Sequence, residues 1–168
     1  LGRTARGVKS MNLRDGDKLV SMDVLTSELV EKLSKLDPLD DENNEEQDIN
    51  LSEGPWVLVA SSFGLGKRVP VTQFRLQKRA GMGLRAIKFR IKDDVLVGLK
   101  VLGAGEEILL VTERGVIVRT NADKVSQQSR AATGVKLQRL DEGDHLAEVV
   151  LVPHEQIDEE KNEEEDSP

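Results

Sequence analysis

The segments Phe63-Gly64-Leu65-Gly66-Lys67-Arg68 and Gln77-Lys78-Arg79-Ala80-Gly81-Met82-Gly83 form a pattern that this chain contains twice. The second copy lies 51 residues later, where Gly115 and Gly134 take the positions of the first and last glycines. In both copies these two glycines are 19 residues apart, and an arginine stands four residues before the second one. A fixed period of this length is typical of a repeat protein, in which each unit buries its apolar face against the next.

A third, partial copy opens the chain at Arg3-Thr4-Ala5-Arg6-Gly7-Val8. Asp17 follows Gly7 by ten residues, as Asp93 and Asp144 follow the last glycines of the other copies. Gly7 and Gly83 are 76 residues apart rather than 51, and a segment of different composition, roughly 29–53, accounts for the excess. The partial copy lacks the first glycine hairpin, so we expect a piece of a longer chain that begins inside a repeat.

The net charge of −7 averages segments of opposite character. Residues 26–53 hold ten acids and two lysines, and residues 154–168 hold eight acids and one lysine, so the rest of the chain carries +8. Blocks of like charge with few apolar residues usually stay disordered, whereas basic repeats indicate a polyanion as partner. We therefore expect a basic folded part with an acidic, mostly disordered insertion and an acidic tail.

Alternating and β-branched apolar residues, separated by glycine turns, predict four strands in each 51-residue unit. The expected class is all-β, with propeller-like blades of four antiparallel strands in a partial array. The predicted strands are 17–25, 56–60, 66–71, 84–91, 95–102, 108–112, 116–119, 135–140 and 146–152. The expected units are the C-terminal half of a blade (1–25), the acidic insertion (26–54), a complete blade (55–102), a final blade (103–153) and the tail (154–168).

Several kinds of enzyme site are excluded by composition. The chain has no cysteine and no tyrosine and only two histidines, so a thiolate or histidine metal centre and a tyrosyl nucleophile are not expected. Gly66-Lys67 lacks the earlier glycine and the following Ser or Thr of a phosphate-binding loop. No apolar run approaches the ~20 residues that a bilayer span needs. We predict no catalytic residue and no metal site in this chain.

Cationic side chains beside glycine turns are the feature that recurs from unit to unit. Arginine offers bidentate donors to phosphate oxygens, and glycine lets the backbone approach an extended polyanion. Any one arginine could instead cap strand carbonyls or pair with Asp17, Asp93 or Asp144. The recurrence favours binding of duplex DNA through its backbone, and the predicted DNA-binding residues are Arg3, Arg6, Lys9, Lys67, Arg68, Arg75, Lys78, Arg79, Arg85, Arg119, Arg130 and Lys136.

The pattern from Phe63 to Val71, the segment Gln77–Gly83 and the repeated Arg-x-x-x-Gly resemble the C-terminal domain of the DNA gyrase A subunit. The resemblance covers residues 1–25 and 54–153. It implies a β-pinwheel, a disc of six blades whose basic rim wraps duplex DNA without sequence preference. It further implies a type IIA topoisomerase that introduces negative supercoils as an A2B2 tetramer with the gyrase B subunit. ATP and magnesium would be used elsewhere in that enzyme, and no cofactor is expected in this chain.

One departure from the family pattern leaves a related protein open. The family's box of seven residues is Q-R-R-G-G-K-G, whereas this chain has Ala80 and Met82 at the fourth and sixth positions. The alternatives are the C-terminal domain of the topoisomerase IV A subunit, and a propeller that binds acidic protein partners. The resemblance implies a DNA-associated protein of the bacterial cytoplasm or, given the acidic insertion, of a plant chloroplast or mitochondrion.

Overall fold

The structure, a computed structural model, describes residues 2–27, 30–31 and 54–152. Short 3-10 helices at Val71–Gln73 and Ala122–Lys124 follow the second and fifth strands. Within the described ranges only Ser27, Val30 and Glu31 are α-helical, so the predicted all-β class is confirmed. The described residues form the strands β1 Trp56–Ser61, β2 Leu65–Pro70, β3 Leu96–Leu102, β4 Glu107–Thr112, β5 Ile117–Asn121, β6 Val135–Lys136 and β7 Leu146–Leu151.

The strands form two antiparallel sheets, ordered β3-β1-β2-β6 and β5-β4-β7. In each sheet a hairpin pairs with the last strand of its own unit, β3 or β7. β6 is different, because it belongs to the second unit and pairs with β2 of the first, with Leu65 opposite Lys136 and Gly66 opposite Val135. Consecutive units are thus joined by a strand that one unit adds to the sheet of the other.

β1 is buried on both faces, as its unbroken apolar run from Trp56 to Ala60 indicates. Trp56, Leu58 and Ala60 pack on the second sheet in a core completed by residues that include Ile108, Leu110, Leu146 and Val149. Val57 and Val59 face the opposite way and pack with Val69, Val71 and Ile87, against which Leu25 of the partial unit also lies. The first sheet therefore lies between its two neighbours along the chain.

Two glycines permit close backbone packing around β2: Gly134, which precedes β6, lies against β2, and Gly66 of β2 lies against β1. A Cβ atom on Gly134 would lie 2.6 Å from the carbonyl oxygen of Gly66, and Gly134 has a φ of +93°. A Cβ atom on Gly66 would lie 2.6 Å from the carbonyl oxygen of Val59. Both distances are too short for any side chain, so the glycines at this contact are required by backbone packing.

The predicted strand at 84–91 is wrong, and the strand predicted at 135–140 is limited to Val135–Lys136. β6 has a partner because the hairpin of the preceding unit, β1–β2, lies beside it. The equivalent hairpin for 84–91 would belong to the partial unit, whose described residues contain no copy of it. Alternation with period two predicts which side chains face a core, and Ile87 is buried as this pattern predicts. A strand also needs a partner backbone to pair with.

The predicted strand at 17–25 is also absent, although this segment lies beside β3. The hydroxyl of Ser21 donates to the carbonyl of Leu99 (3.0 Å), and a carboxylate oxygen of Asp23 accepts the amide of Val101 (2.8 Å). Side chains thus bond to β3 here, in place of a strand ladder. Most of the predicted acidic insertion and all of the tail 154–168 lie outside the described residues. In the described part of the chain, no helix has the length and apolar composition needed to cross a bilayer.

Candidate nucleic-acid interface

Arg3, Arg79 and Arg130 occupy the same position in three equivalent turns. Each turn is closed by a backbone hydrogen bond from its fourth residue to the carbonyl of its first, and the arginine is the second residue. The equivalence could be expected from the repeat, but the turn geometry could not. The closing bonds are Ala5 N–H to Gly2 O (3.0 Å), Gly81 N–H to Lys78 O (3.3 Å) and Ala132 N–H to Ser129 O (3.2 Å).

Each of the two later turns is bonded to the unit before it. The amide of Asn12 donates to the carbonyl of Gly81 (2.8 Å), and the amide of Lys88 donates to the carbonyl of Ala132 (3.1 Å). Asn12 and Lys88 are 76 residues apart, which is the spacing of Gly7 and Gly83, so the two contacts are equivalent. Sequence reasoning missed these docking segments, although the same period contains them. The arginine turns are therefore joined in series through the protein.

A second set of cations follows the glycines that end each copy. Gly7, Gly83 and Gly134 all have positive φ, of 78°, 76° and 93°. Two residues after each glycine stands a basic side chain that is exposed to solvent, and one of them, Lys9, donates to the side chain of Asn12 (2.9 Å). We call Arg3, Arg79 and Arg130 the turn row and Lys9, Arg85 and Lys136 the glycine row.

The predicted set holds four further exposed cations. Arg6, Arg75 and Lys78 are exposed, and Arg119 forms an ion pair with Glu107 across the β4–β5 ladder. Within the turn row, Arg3 and Arg79 are exposed and Arg130 is half-buried. The guanidinium of Arg130 lies 6.0 Å from the ring centre of Phe74. The backbone amide of Arg130 donates to the side chain of Gln73 (3.1 Å).

Lys67 is wholly buried, although the sequence placed it among the DNA-binding cations. Its Nζ donates to the carbonyls of Ser129 (2.5 Å), Arg130 (2.8 Å) and Ala132 (2.7 Å), all in the last arginine turn. Burial lowers the pKa of Lys67 to about 8, and the positive charge of Arg130 acts in the same direction. This is the carbonyl-capping role that the sequence left open as the alternative.

Arg68 is also engaged inside the fold, with only 9% of its surface exposed. Its guanidinium pairs with the carboxylate of Asp123 (2.7 Å), donates to the carbonyl of Val125 (2.9 Å) and lies 4.4 Å from the ring centre of Trp56. Lys67 and Arg68 therefore hold successive parts of the connection between β5 and β6 against β2. The geometry favours a structural role for both.

The recurring aspartate is Asp94 rather than Asp93, which corrects the sequence alignment by one residue. An oxygen of Asp94 accepts the amide of Phe63 (3.1 Å), and the equivalent oxygen of Asp144 accepts the amide of Arg114 (3.2 Å). Asp93 itself has a φ of +65° and matches Gly143, whose φ is +70°. The side chain of Thr112 holds the pKa of Asp144 below its usual value, and the amides of His145 and Arg114 act in the same sense. The two carboxylates therefore stabilise the turns of the β1–β2 and β4–β5 hairpins.

Across residues 2–27, 30–31 and 54–152, no three acidic or histidine side chains gather as a metal site requires. The surface presents cations at regular positions of a β scaffold. Such groups can neutralise the phosphates of a polyanion.

Strand exchange between sheets, a fixed repeat and cationic turns in series define a basic repeat domain of the β-propeller type. The family described as the DNA gyrase C-terminal domain, beta-propeller, matches residues 1–26, 55–102 and 106–153. The chain belongs to this family.

Relatives and solved structures agree with this assignment. The DNA gyrase A subunit of Synechocystis sp. is 50% identical over 91% of this chain and 18% of its own length, and that of Staphylococcus aureus is 34% identical over 99% and 16%. A solved C-terminal domain of DNA gyrase A superposes with a TM-score of 0.56 at 32% identity, covering 60% of this chain and 34% of its own. A C-terminal domain of topoisomerase IV gives 0.53 at 25%, covering 64% and 32%. The chain thus spans less than a fifth of these curated relatives.

Proposed function

We propose that this chain binds duplex DNA without sequence preference and bends it along the two cation rows. The observation that carries this proposal is the series of three equivalent arginine turns, of which the two later ones are bonded to the preceding unit. Because Arg3, Arg79 and Arg130 recur at one position of a regular scaffold, a polyanion can meet one cation after another along a single path. Duplex DNA is such a polyanion, with one charge per about 1.7 Å of its axis.

The residues proposed for this path are those of the rows together with further exposed cations. The turn row and the glycine row supply six side chains, and the exposed Arg6, Arg75 and Lys78 add to the local positive charge, whereas Arg119 is paired with Glu107. Lys67 and Arg68 are left out of the path, because their donors are occupied by carbonyls and a carboxylate inside the fold. Base stacking is not part of the proposal, since the chain has only one tryptophan and three phenylalanines and no tyrosine.

We propose further that the chain acts as part of the DNA gyrase A subunit, within a type IIA topoisomerase that introduces negative supercoils. Wrapping would present a crossing DNA segment to the cleavage gate in a positive sense, and ATP with magnesium would be used by the gyrase B subunit in an A2B2 tetramer. The names of the relatives support this assignment, and the matched share of each relative is small. The cyanobacterial relative fits either a bacterial cytoplasm or a plant organelle as the location.

Two alternative functions have less support than DNA binding within the gyrase A subunit. Topoisomerase IV is supported by a solved structure with a lower identity and a slightly lower TM-score than the gyrase domain has. Binding of an acidic protein through the same cations would need a partner of matching charge spacing. Binding of an acidic protein makes a different prediction, because a flexible acidic polypeptide of the same total charge as the DNA would then displace it.

The proposal is tested by replacing Arg3, Arg79 and Arg130 together with alanine. We expect affinity for random-sequence duplex DNA at about 50 mM salt to fall by roughly 10- to 100-fold, since three phosphate contacts are lost. We expect wild-type affinity to increase with duplex length as well. The measurement is fluorescence anisotropy with duplexes of several lengths, with polyglutamate of equal charge as competitor.

The matched control replaces Lys18, Lys92 and Lys124, which are exposed cations outside both rows, with alanine. This control variant loses the same charge and is expected to bind within a factor of about three of the wild type. Equal losses in the two variants would show that only net charge matters and would contradict the path. Binding that is independent of duplex length and is abolished by polyglutamate would favour the acidic-protein function.

A further inference from the structure

The ammonium group of Lys67 occupies an unusual place in the arginine turn of the following unit. Lys67 lies in β2 of one unit, and its three acceptors are carbonyls of residues 129, 130 and 132 in the next. The side chain is fully buried, so it cannot itself meet a phosphate. An ammonium has three protons, and here each is matched by one carbonyl. The turn is therefore closed around a cation that is provided by another unit.

Neutral contacts from other side chains and from the preceding unit also hold this turn. The amide of Arg130 donates to the side chain of Gln73, and the amide of Gly134 donates to the side chain of Gln128 (both 3.1 Å). The carbonyl of Ala132 also accepts from the backbone of Lys88. At the position of Lys67 the second unit has Val118, so this cation is not a repeated feature of the scaffold. It serves the turn that carries Arg130.

We propose that Lys67 is a positioning residue for DNA binding, which fixes the turn of residues 129–132 so that Arg130 is held ready for a phosphate. This inference rests on the proposed function. Its physical basis is preorganisation, because a turn that is already ordered loses less conformational entropy when it binds. Without Lys67, the carbonyls of Ser129, Arg130 and Ala132 each lose one donor at once, although those of Ser129 and Ala132 keep a backbone donor. The turn must then admit water or shift to replace the lost bonds.

The test compares Lys67→Met, which keeps about the length of the aliphatic part and removes the donors, with Lys67→Arg, which keeps the cation. Hydrogen exchange is measured at the amide of Ala132, which closes the turn, and at the amide of Leu110 in β4 as a reference. We expect Lys67→Met to raise exchange at Ala132 by about tenfold or more relative to Leu110, and Lys67→Arg to restore most of the protection. Unchanged protection of Ala132 in Lys67→Met would overturn the inference.

The link to DNA is tested by a double-mutant cycle with Arg130→Ala. We expect Lys67→Met to weaken binding of random duplex DNA by about threefold or more, and to add little further loss once Arg130 is alanine. Fully additive losses would overturn the positioning role, because Lys67 would then act independently of Arg130. If Arg130→Ala alone leaves affinity unchanged, Arg130 does not contact DNA and the proposed function is contradicted at this turn. The exchange result still tests separately whether Lys67 orders the turn. Lys67→Gln, with two donors, replaces Lys67→Met if that variant does not fold.

Discussion

Gly134 combines two constraints at one residue: a left-handed backbone conformation and a backbone contact too close for any Cβ atom. We expect Gly134→Ala to lower the free energy of unfolding by about 2 kcal/mol or more, since strain and clash add. Gly103→Ala is the control, because nothing lies within 4 Å of its added Cβ and its φ is not positive. Urea denaturation followed by circular dichroism measures both. Equal stability of the two variants would contradict the close contact of β6 with β2.

Lys67 gives the protein a pH dependence of known sign. Its pKa is about 8 in the folded chain against a usual 10.5, so between these values the unfolded chain binds more protons. The buried charge therefore costs stability below pH 8, and the cost is relieved as the pH rises. We expect the free energy of unfolding of the wild type, minus that of Lys67→Met, to rise by about 1 to 3 kcal/mol between pH 8 and 10.5. Denaturant titrations over this range would contradict the burial of Lys67 if the difference stayed flat.

The roles of Lys67 and Arg68 show what a repeat alone can and cannot reveal at the scale of a residue. Basic residues beside a glycine hairpin predict a cationic rim, and the prediction treated Lys67 and Arg68 alike. The absence of a basic counterpart for Lys67 at Val118 was the available signal that it differs. Arg68 has a counterpart in Arg119, yet Arg68 is buried whereas Arg119 is exposed. Burial there depends on whether the following unit covers the strand, which the local sequence does not encode.

Among the structural elements, the connection from β5 to β6 depends on Arg68. Replacement of Arg68 by methionine removes the ion pair to Asp123, the bond to the carbonyl of Val125 and the contact with Trp56. We expect a loss of about 2 to 4 kcal/mol in the free energy of unfolding, because the guanidinium is buried and loses an ion pair, a carbonyl acceptor and its ring contact together. Thermal and urea denaturation measure this loss.

The same Arg68→Met variant separates folding from binding. Since Arg68 lies outside the proposed path, affinity for duplex DNA under conditions where the variant is folded is expected to stay within about twofold to threefold. A large loss of affinity without a loss of stability would return Arg68 to the path and contradict its assignment as a structural residue. The nearby Lys124→Ala provides a control for charge in the same connection.

The strands were predicted well where a hairpin supplies its own partner and poorly where the partner comes from another unit. β1, β2, β4 and β5 pair locally, and each was expected within a few residues of its observed bounds. The segment 84–91 has the alternation of a strand, but among the described residues it has no strand to pair with, and its backbone bonds instead to the turn at Ala132. The docking of Asn12 and Lys88 on the arginine turns is a contact between units, so no local pattern could reveal it. The repeat period predicts the positions of the arginine turns, whereas the contacts that stabilise them depend on packing between units.

On the scale of the whole molecule, the charge distribution sets how the protein meets DNA. The part of the chain outside the two acidic segments carries +8, whereas the chain as a whole carries −7. Attraction to DNA must therefore come from local arrangement, because the net charge opposes it. A phosphate path predicts a steep dependence on salt, since each neutralised phosphate releases condensed counterions.

The salt dependence of binding to random-sequence duplex DNA tests this account most directly. If all six row cations contact phosphates, log K against log salt has a slope of about −5, and the Arg3, Arg79 and Arg130 triple alanine variant has a slope of about −2 to −3. The Lys18, Lys92 and Lys124 control variant is expected to keep the slope of the wild type. A shallow wild-type slope of about −1, or a triple variant with an unchanged slope, would contradict a DNA path along these turns.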